Sequence, residues 1–237
     1  MTSRRVLVTG GGSGIGLAAV QALVDSGASV VAADLRFDAT ADEGSPVTRV
    51  LADVTREADV ERAFEETLAA LGGLDVVINC AGITKEQNRD IREVTLESWS
   101  SVIAVNLTGS FLVAREAVRV MATQGGGVII LVGSGAGTTA PSGSIPYGAS
   151  KGGVNGLVMT LAAHIEQHGF RVHNFMPGTV DTPLIQESYD EALDNGADPL
   201  STARERNNLT DPARVGRVLA LLASEDADAM RGNVITR

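Results

Sequence analysis

Cysteine is almost missing from this chain: Cys80 stands alone among 237 residues, which excludes an internal disulfide framework. An unpaired thiol suits a reducing compartment, so a cytoplasmic location is expected. Basic excess is missing too, since 19 Lys and Arg face 29 Asp and Glu for a formal charge of -10. That balance repels phosphate backbones and anionic lipid, so neither nucleic acid nor a membrane surface is an expected partner. No apolar run approaches the roughly 20 residues of a membrane span. Arg4-Arg5 leads only into Val6-Leu7-Val8 and then glycines, which is not the pattern of a secretory signal. No Pro-rich or low-complexity stretch divides the chain, and one domain over 1–237 is expected. Histidine is scarce, and the pair His164/His168 has Ile165 where a zinc-protease helix needs Glu, so no metal site is expected.

What is present is 44% hydrophobic residues and 27 Gly, enough for one large core. Short β-branched runs alternate with segments of helical period, the pattern of a parallel sheet covered on both faces. Strands are expected at Arg5–Thr9, Ser29–Ala33, Val47–Ala52, Leu74–Asn79, Gly127–Val132, Arg171–Phe175 and Asn233–Thr236. Helices are expected at Gly14–Ser26, Arg56–Leu71, Leu96–Gln124, Pro146–His168 and Pro212–Ala223, the last capped by Asp211. Together they make a doubly wound, Rossmann-type α/β fold with a seven-stranded parallel sheet. The stretch Thr182–Asn208 is polar and weakly periodic; it reads as a helical or irregular insertion that acts as a substrate lid.

Thr9-Gly10-Gly11-Gly12-Ser13-Gly14-Ile15-Gly16 lies between the first strand and the first helix. Glycines there let a pyrophosphate approach main-chain N–H groups at a helix N-terminus, although a plain Gly-rich turn would look similar. The spacing fits neither G-x-G-x-x-G nor a P-loop, because Leu17 follows Gly16; it fits T-G-x-x-x-G-x-G. Asp34, about 20 residues beyond the last glycine, is placed to accept from adenosine ribose hydroxyls and to repel a 2′-phosphate. It favours NAD over NADP, with the Arg36 guanidinium, which could answer a 2′-phosphate, as the counter-argument. Asp53-Val54 can flank the adenine and Asn79-Cys80-Ala81-Gly82 can line the cofactor's path, or both can be strand-end caps.

Asn106 falls on the stripe Trp99, Val102, Asn106, Ser110, Val113, Ala117, where an unpaired amide costs about 1–3 kcal/mol. It is either satisfied by nearby backbone or holds water beside a site. Ser134, after the Gly127–Val132 strand, lacks the first glycine of a hydrolase elbow and reads as a hydrogen-bond donor to a substrate oxygen. Tyr147 and Lys151 share one helix face, so the ammonium is expected to lower the phenol's pKa and suit it to acid/base work near neutral pH. Cys80 and Trp99 read as packing residues.

In order and spacing, the Thr9–Gly16 turn, Asp34, Asn79–Gly82, Asn106, Ser134, Tyr147-x-x-x-Lys151 and Pro177-Gly178 resemble the short-chain dehydrogenase/reductase family over nearly the whole chain. The resemblance implies a tetrad. Asn106 would hold a water linked to Lys151, Lys151 would bind the nicotinamide ribose and tune Tyr147, Ser134 would orient the substrate oxygen, and Tyr147 would transfer the proton. Gly10, Ser13, Gly14, Ile15 and Gly16 would hold the pyrophosphate; Pro177, Gly178, Thr179 and Thr182 would face the nicotinamide. Two departures stand out: the family usually continues past the last strand through a D-G-G segment, and Val172-His173-Asn174-Phe175-Met176 puts bulky groups where smaller ones are usual. Small residues on Leu96–Gln124 and Pro146–His168, among them Ala149, Gly152, Gly153, Gly156 and Ala163, suit helix packing between copies, so a homodimer or homotetramer is expected. The expected activity is NAD-dependent hydride transfer on a small polar secondary alcohol or ketone. The alternatives are an NADP-using 3-oxoacyl carrier-protein reductase, a non-catalytic dinucleotide-binding protein, and a dehydratase or epimerase using the same Tyr and Lys.

Overall fold

The structure, a computed structural model, describes residues 4–37 and 46–236. Its elements run β1 (Arg5–Thr9), α1 (Gly14–Asp25), β2 (Ser29–Asp34), β3 (Thr48–Leu51), α2 (Glu57–Leu71), β4 (Val76–Asn79), α3 (Leu96–Ile103), α4 (Gly109–Met121), β5 (Gly127–Val132), α5 (Ile145–Ile165), β6 (Phe170–Met176), α6 (Pro183–Asp194), α7 (Pro199–Arg206), α8 (Pro212–Ala223) and β7 (Gly232–Ile235). The strands form one sheet in the order β3-β2-β1-β4-β5-β6-β7, parallel throughout.

The apolar strand runs explain this layering, because alternate residues feed opposite cores. Leu7, Val31, Val77, Ile129 and Val172 pack with α2, α4 and α5. Val6, Val8, Val30, Ile78, Ile130 and Phe175 pack with α1 and α8 on the other face. Each large side chain so buried, such as Phe64 and Phe175 at 0% exposure, stabilises the fold by about 1.5–3 kcal/mol. At Gly216 a Cβ would lie 2.3 Å from the Ala18 carbonyl oxygen, so glycine is what lets α8 close onto α1.

Local signals mostly hold. Asp211 caps α8, its Oδ1 accepting the Ala213 N–H at 2.8 Å. The Leu96–Gln124 segment, expected as one helix, is instead α3, a π-helical turn over Ala104–Thr108, α4 and a short 3₁₀ turn. By length and composition it would also pass for a membrane span, contrary to the reading of apolar runs; half of it is buried in the fold. Trp99, expected in the core, is only half-buried. The Thr182–Asn208 insertion is helical: Thr182 and Asp198 each cap a helix whose first turn carries Pro, giving α6 and α7. Those cap-plus-proline pairs were readable in the sequence.

Candidate active site

Between β1 and β4 the chain reverses its direction of winding across the sheet, and there the carboxyl ends of the strands open a crevice suited to a ligand. The Gly10–Gly16 turn forms one wall. Gly10 has φ +70°, and a Cβ on it would lie 2.5 Å from the Ala81 nitrogen; a Cβ on Gly16 would lie 1.9 Å from the Gly10 carbonyl oxygen. These glycines fold the turn tightly against the end of β4. Ser13 caps α1 without a side-chain bond, so it takes none of the N–H groups of that first turn, and the Gly14-Ile15-Gly16 backbone keeps the character of an anion cradle. The residues therefore fit a dinucleotide pyrophosphate.

Asp34, at the end of β2, is fixed by the turn itself. Its Oδ2 accepts the Gly12 N–H at 2.8 Å and its Oδ1 accepts the Arg36 N–H at 3.3 Å. Arg36 is exposed. Asp53 begins a capping turn: its Oδ1 accepts from the Thr55 N–H and hydroxyl at 2.9 and 2.7 Å. Val54 is buried, with its methyl 2.9 Å from where a Gly109 Cβ would stand, so its side chain belongs to the core.

Gly82 brings the reactive groups together, since a Cβ there would lie 3.4 Å from Asn106 Oδ1 and 3.6 Å from Lys151 Nζ. Asn106 is fully buried on the π-helical turn. Its Oδ1 accepts the Ile83 N–H at 2.8 Å, and its Nδ2 donates to the Ile83 carbonyl and Ser150 Oγ, both at 2.9 Å. Lys151 is 5% exposed; its Nζ donates to the Val132 carbonyl at 2.7 Å and sits 5.6 Å from the Tyr147 ring centroid. Ser134 lies just past β5, where its Oγ accepts the Ala136 N–H at 3.1 Å and its side chain is close enough to Tyr147 to act on the phenol's pKa.

The electrostatics correct the sequence reading. Burial pushes Tyr147 above the ordinary phenol value, with the Ser134 side chain partly opposing it. Burial likewise pushes Lys151 down to about 8. The expectation that Lys151 sets a net lowering of the phenol is thus reversed, because both groups are desolvated and the ammonium is spent on a carbonyl. Neighbouring Cys80 is pushed up to about 12 by burial, which keeps it a protonated, inert thiol at neutral pH.

Beyond β6, Thr179 lies in a segment tied to Thr210, which donates its N–H to the Thr179 carbonyl at 2.8 Å. Thr182 Oγ1 accepts the Ile185 N–H, and its methyl would lie 3.2 Å from a Cβ on Gly14. Pro177 and Gly178, half-buried, carry the chain from the end of β6 to Thr179. The bulky β6 residues pack at a cost: His173 is wholly buried, and burial lowers it to about 4, with the Gly232 backbone partly opposing the shift. Asn174 forces glycine at 133, where a Cβ would lie 2.0 Å from its Oδ1.

Sequence reasoning missed Ser144 and Ser150. Ser144 Oγ donates to the Lys85 carbonyl at 2.5 Å and accepts the Tyr147 N–H at 3.2 Å, capping α5. Ser-x-Pro ahead of a helix was the available signal. Ser150 had none.

A phenol, a hydroxyl and an ammonium gathered beside an anion-binding glycine turn define an oxidoreductase that works on CH–OH groups with a nicotinamide dinucleotide. The chain belongs to the short-chain dehydrogenase family, whose model matches residues 4–193. It is 35% identical to a (3R)-3-hydroxyacyl-CoA dehydrogenase of Mus musculus, over 98% of this chain and 93% of that protein. It is 33% identical to a 2,5-dichloro-2,5-cyclohexadiene-1,4-diol dehydrogenase of Sphingobium indicum, over 99% of this chain and 95% of that protein. Among solved structures it is similar to levodione reductase, with a TM-score of 0.89 and 30% identity over 99% of this chain and 96% of that one.

Proposed function

We propose that this protein is an NAD-dependent dehydrogenase/reductase for a small, polar secondary alcohol or ketone. The observation that carries the reading is the gathering of the Tyr147 phenol and the Ser134 side chain beside the buried Lys151 ammonium, whose Nζ lies 5.6 Å from the Tyr147 ring centroid. Bound nicotinamide supplies the hydride acceptor or donor. Ser134 donates to the substrate oxygen and orients it. Tyr147 takes the hydroxyl proton during oxidation and returns it during reduction. Lys151 holds positive charge beside the ring and reaches the nicotinamide ribose, while Asn106, on the π-helical turn, fixes the Gly82-Ile83 backbone through both polar groups of Ile83. A panel of secondary alcohols and ketones, followed by NADH absorbance, tests the reading; absence of turnover with every member overturns it. A second reading, a 3-hydroxyacyl thioester substrate, has the name of the mouse relative in its favour, and an acyl-CoA member in the panel separates the two.

The choice of NAD rests on Asp34, whose carboxylate is pinned by the Gly12 N–H and would have to leave that bond to admit a 2′-phosphate. We expect kcat/KM to favour NAD over NADP, and Asp34→Ala to narrow the gap. A wild type that prefers NADP contradicts this.

The α6–α7 unit is proposed as a lid. At its neck, Asp181 donates its N–H to the Thr210 carbonyl at 2.9 Å. At its tip, Glu191 Oε1 accepts the Glu86 N–H at 2.8 Å, and Asn195 Nδ2 donates to the Gln87 carbonyl at 2.7 Å. The loop it grips is strained, with Glu86 and Asn88 at φ +61° and +54°. Asn195→Ala is expected to speed amide exchange across Pro183–Arg206 while the strands exchange as before. Unchanged exchange there would sink the latch.

A further inference from the structure

Thr9, Asn79, Ser110, Asn106 and Ser150 are scattered in sequence, yet they form a buried line of hydrogen bonds that passes through Asn106 and ends on the Tyr147 main-chain carbonyl. The Thr9 hydroxyl donates to Asn79 Oδ1, and Asn79 Nδ2 donates to Ser110 Oγ at 2.9 Å. The Ser110 hydroxyl donates to the Asn106 carbonyl at 2.6 Å, and Asn106 Nδ2 to Ser150 Oγ at 2.9 Å. The Ser150 hydroxyl then donates to the Tyr147 carbonyl at 2.7 Å. All of these side chains are buried to 3% exposure or less.

Folding alone does not call for this line. Each buried polar group brought in must find a partner at the risk of about 1–3 kcal/mol, a risk that an all-apolar cluster at these five positions would not run. Every donor points the same way, from the residue before the glycine turn towards the residue that carries the phenol, and at Asn106 the line passes from main-chain carbonyl to side-chain amide, so the link there is one of position. Ser110 also sits where the π-helical turn passes into α4, and a hydroxyl bonded back to the carbonyl four residues earlier bends a helix there. One end of the line therefore touches the dinucleotide wall and the other holds the α5 turn that aims Tyr147 at Ser134.

We infer that Ser110 and Ser150 are positioning residues for the reaction, holding the Tyr147 backbone in register with Ser134 and tying it through Asn79 and Thr9 to the dinucleotide turn. The inference rests on the proposed role of Tyr147 as proton carrier. Only 2 tyrosines occur, Tyr147 and Tyr189, so in a Tyr189→Phe background tyrosinate absorbance reports Tyr147 alone. Ser134 pulls the Tyr147 pKa down, and loss of register weakens that effect. In Ser150→Ala and Ser110→Ala the Tyr147 titration is expected to move to higher pH, in the direction that Ser134→Ala moves it. On a substrate from the alcohol panel kcat should fall about 10- to 100-fold, the scale of a small misplacement of a reacting group, with NADH affinity by fluorescence little changed. Ser150→Thr, which keeps the hydroxyl, should restore the titration. Combining Thr9→Val with Ser150→Ala should cost less than the sum of the two, since both cut one line. Alanine variants that melt lower yet titrate Tyr147 as the wild type does would overturn the inference, and strictly additive losses would overturn the link to Thr9. If Ser134→Ala alone moves the titration, the positioning role fails and the Ser134–Tyr147 pair stands; if Tyr147→Phe turns over like the wild type, the underlying reading fails instead.

Discussion

Replacing Tyr147 with Phe is expected to lower turnover by about 10²–10⁴-fold, the usual range for loss of a positioned acid/base group. The ring stays, so its packing on α5 and the cation above its face are retained, and NAD affinity should remain near that of the wild type. The phenol lies above its ordinary value through burial, which makes it a proton donor at neutral pH, ready for ketone reduction. Oxidation needs it as an acceptor, so the oxidative rate should rise with pH while the reductive rate does not. Steady-state rates in both directions across pH, paired with NAD titrations of the variant, check this. Wild-type turnover by Tyr147→Phe, or a loss wholly explained by failed NAD binding, removes Tyr147 from the mechanism.

Lys151→Met should abolish most activity and yet stabilise the fold at neutral pH. Burial lowers the Lys151 pKa from 10.5 to about 8, so below pH 8 the folded state holds an ammonium that the unfolded chain keeps in water more cheaply. At about 1.36 kcal/mol per unit the penalty is roughly 3 kcal/mol. Its sign follows from proton counting. Between the folded and unfolded values the unfolded chain binds more protons, so wild-type stability rises with pH over that window, and the penalty is gone above the unfolded value. Met removes the charge but leaves the Val132 carbonyl without its donor, which returns about 1–3 kcal/mol. The advantage of Lys151→Met in urea unfolding should therefore be greatest near pH 7 and shrink steadily towards pH 10. A difference independent of pH would show that the buried charge is not its origin.

The two substitutions illustrate where the sequence was a good guide and where it was not. Tyr147 and Lys151 were legible because their spacing puts them on one helical face, and the helix formed where expected. The sign of their coupling was not, because it depends on how much protein surrounds each group and on a carbonyl from β5, residues away in sequence. Asn106 was legible as an anomaly, a polar residue on an apolar stripe, but its partners Ile83 and Ser150 lie on two other segments. The single long helix expected around it failed for a related reason: periodicity of 3.6 cannot register one inserted residue's worth of π-helical turn, which side-chain bonds from Ser110 help to set. Over Thr182–Asn208 the choice between helical and irregular structure stayed open although Thr182-Pro183 and Asp198-Pro199 marked the starts of α6 and α7, because a polar, weakly periodic stretch gives little amphipathic signal.

By itself, then, the amino-acid sequence determined what is local or repetitive. Apolar strand runs too continuous for a one-sided sheet required helices on both faces, glycines at fixed spacing placed a tight turn at a helix start, and ordered motifs put the chain in a family of dehydrogenases. Only the tertiary structure decided what is through-space: the crevice at the reversal of strand order, the fixing of Asp34 by the glycine turn, the raised phenol and lowered ammonium, and the line of hydroxyls and amides from Thr9 to Tyr147. Desolvation and hydrogen-bond partnership depend on which segments meet, and that is settled when the sheet and its two helical layers close.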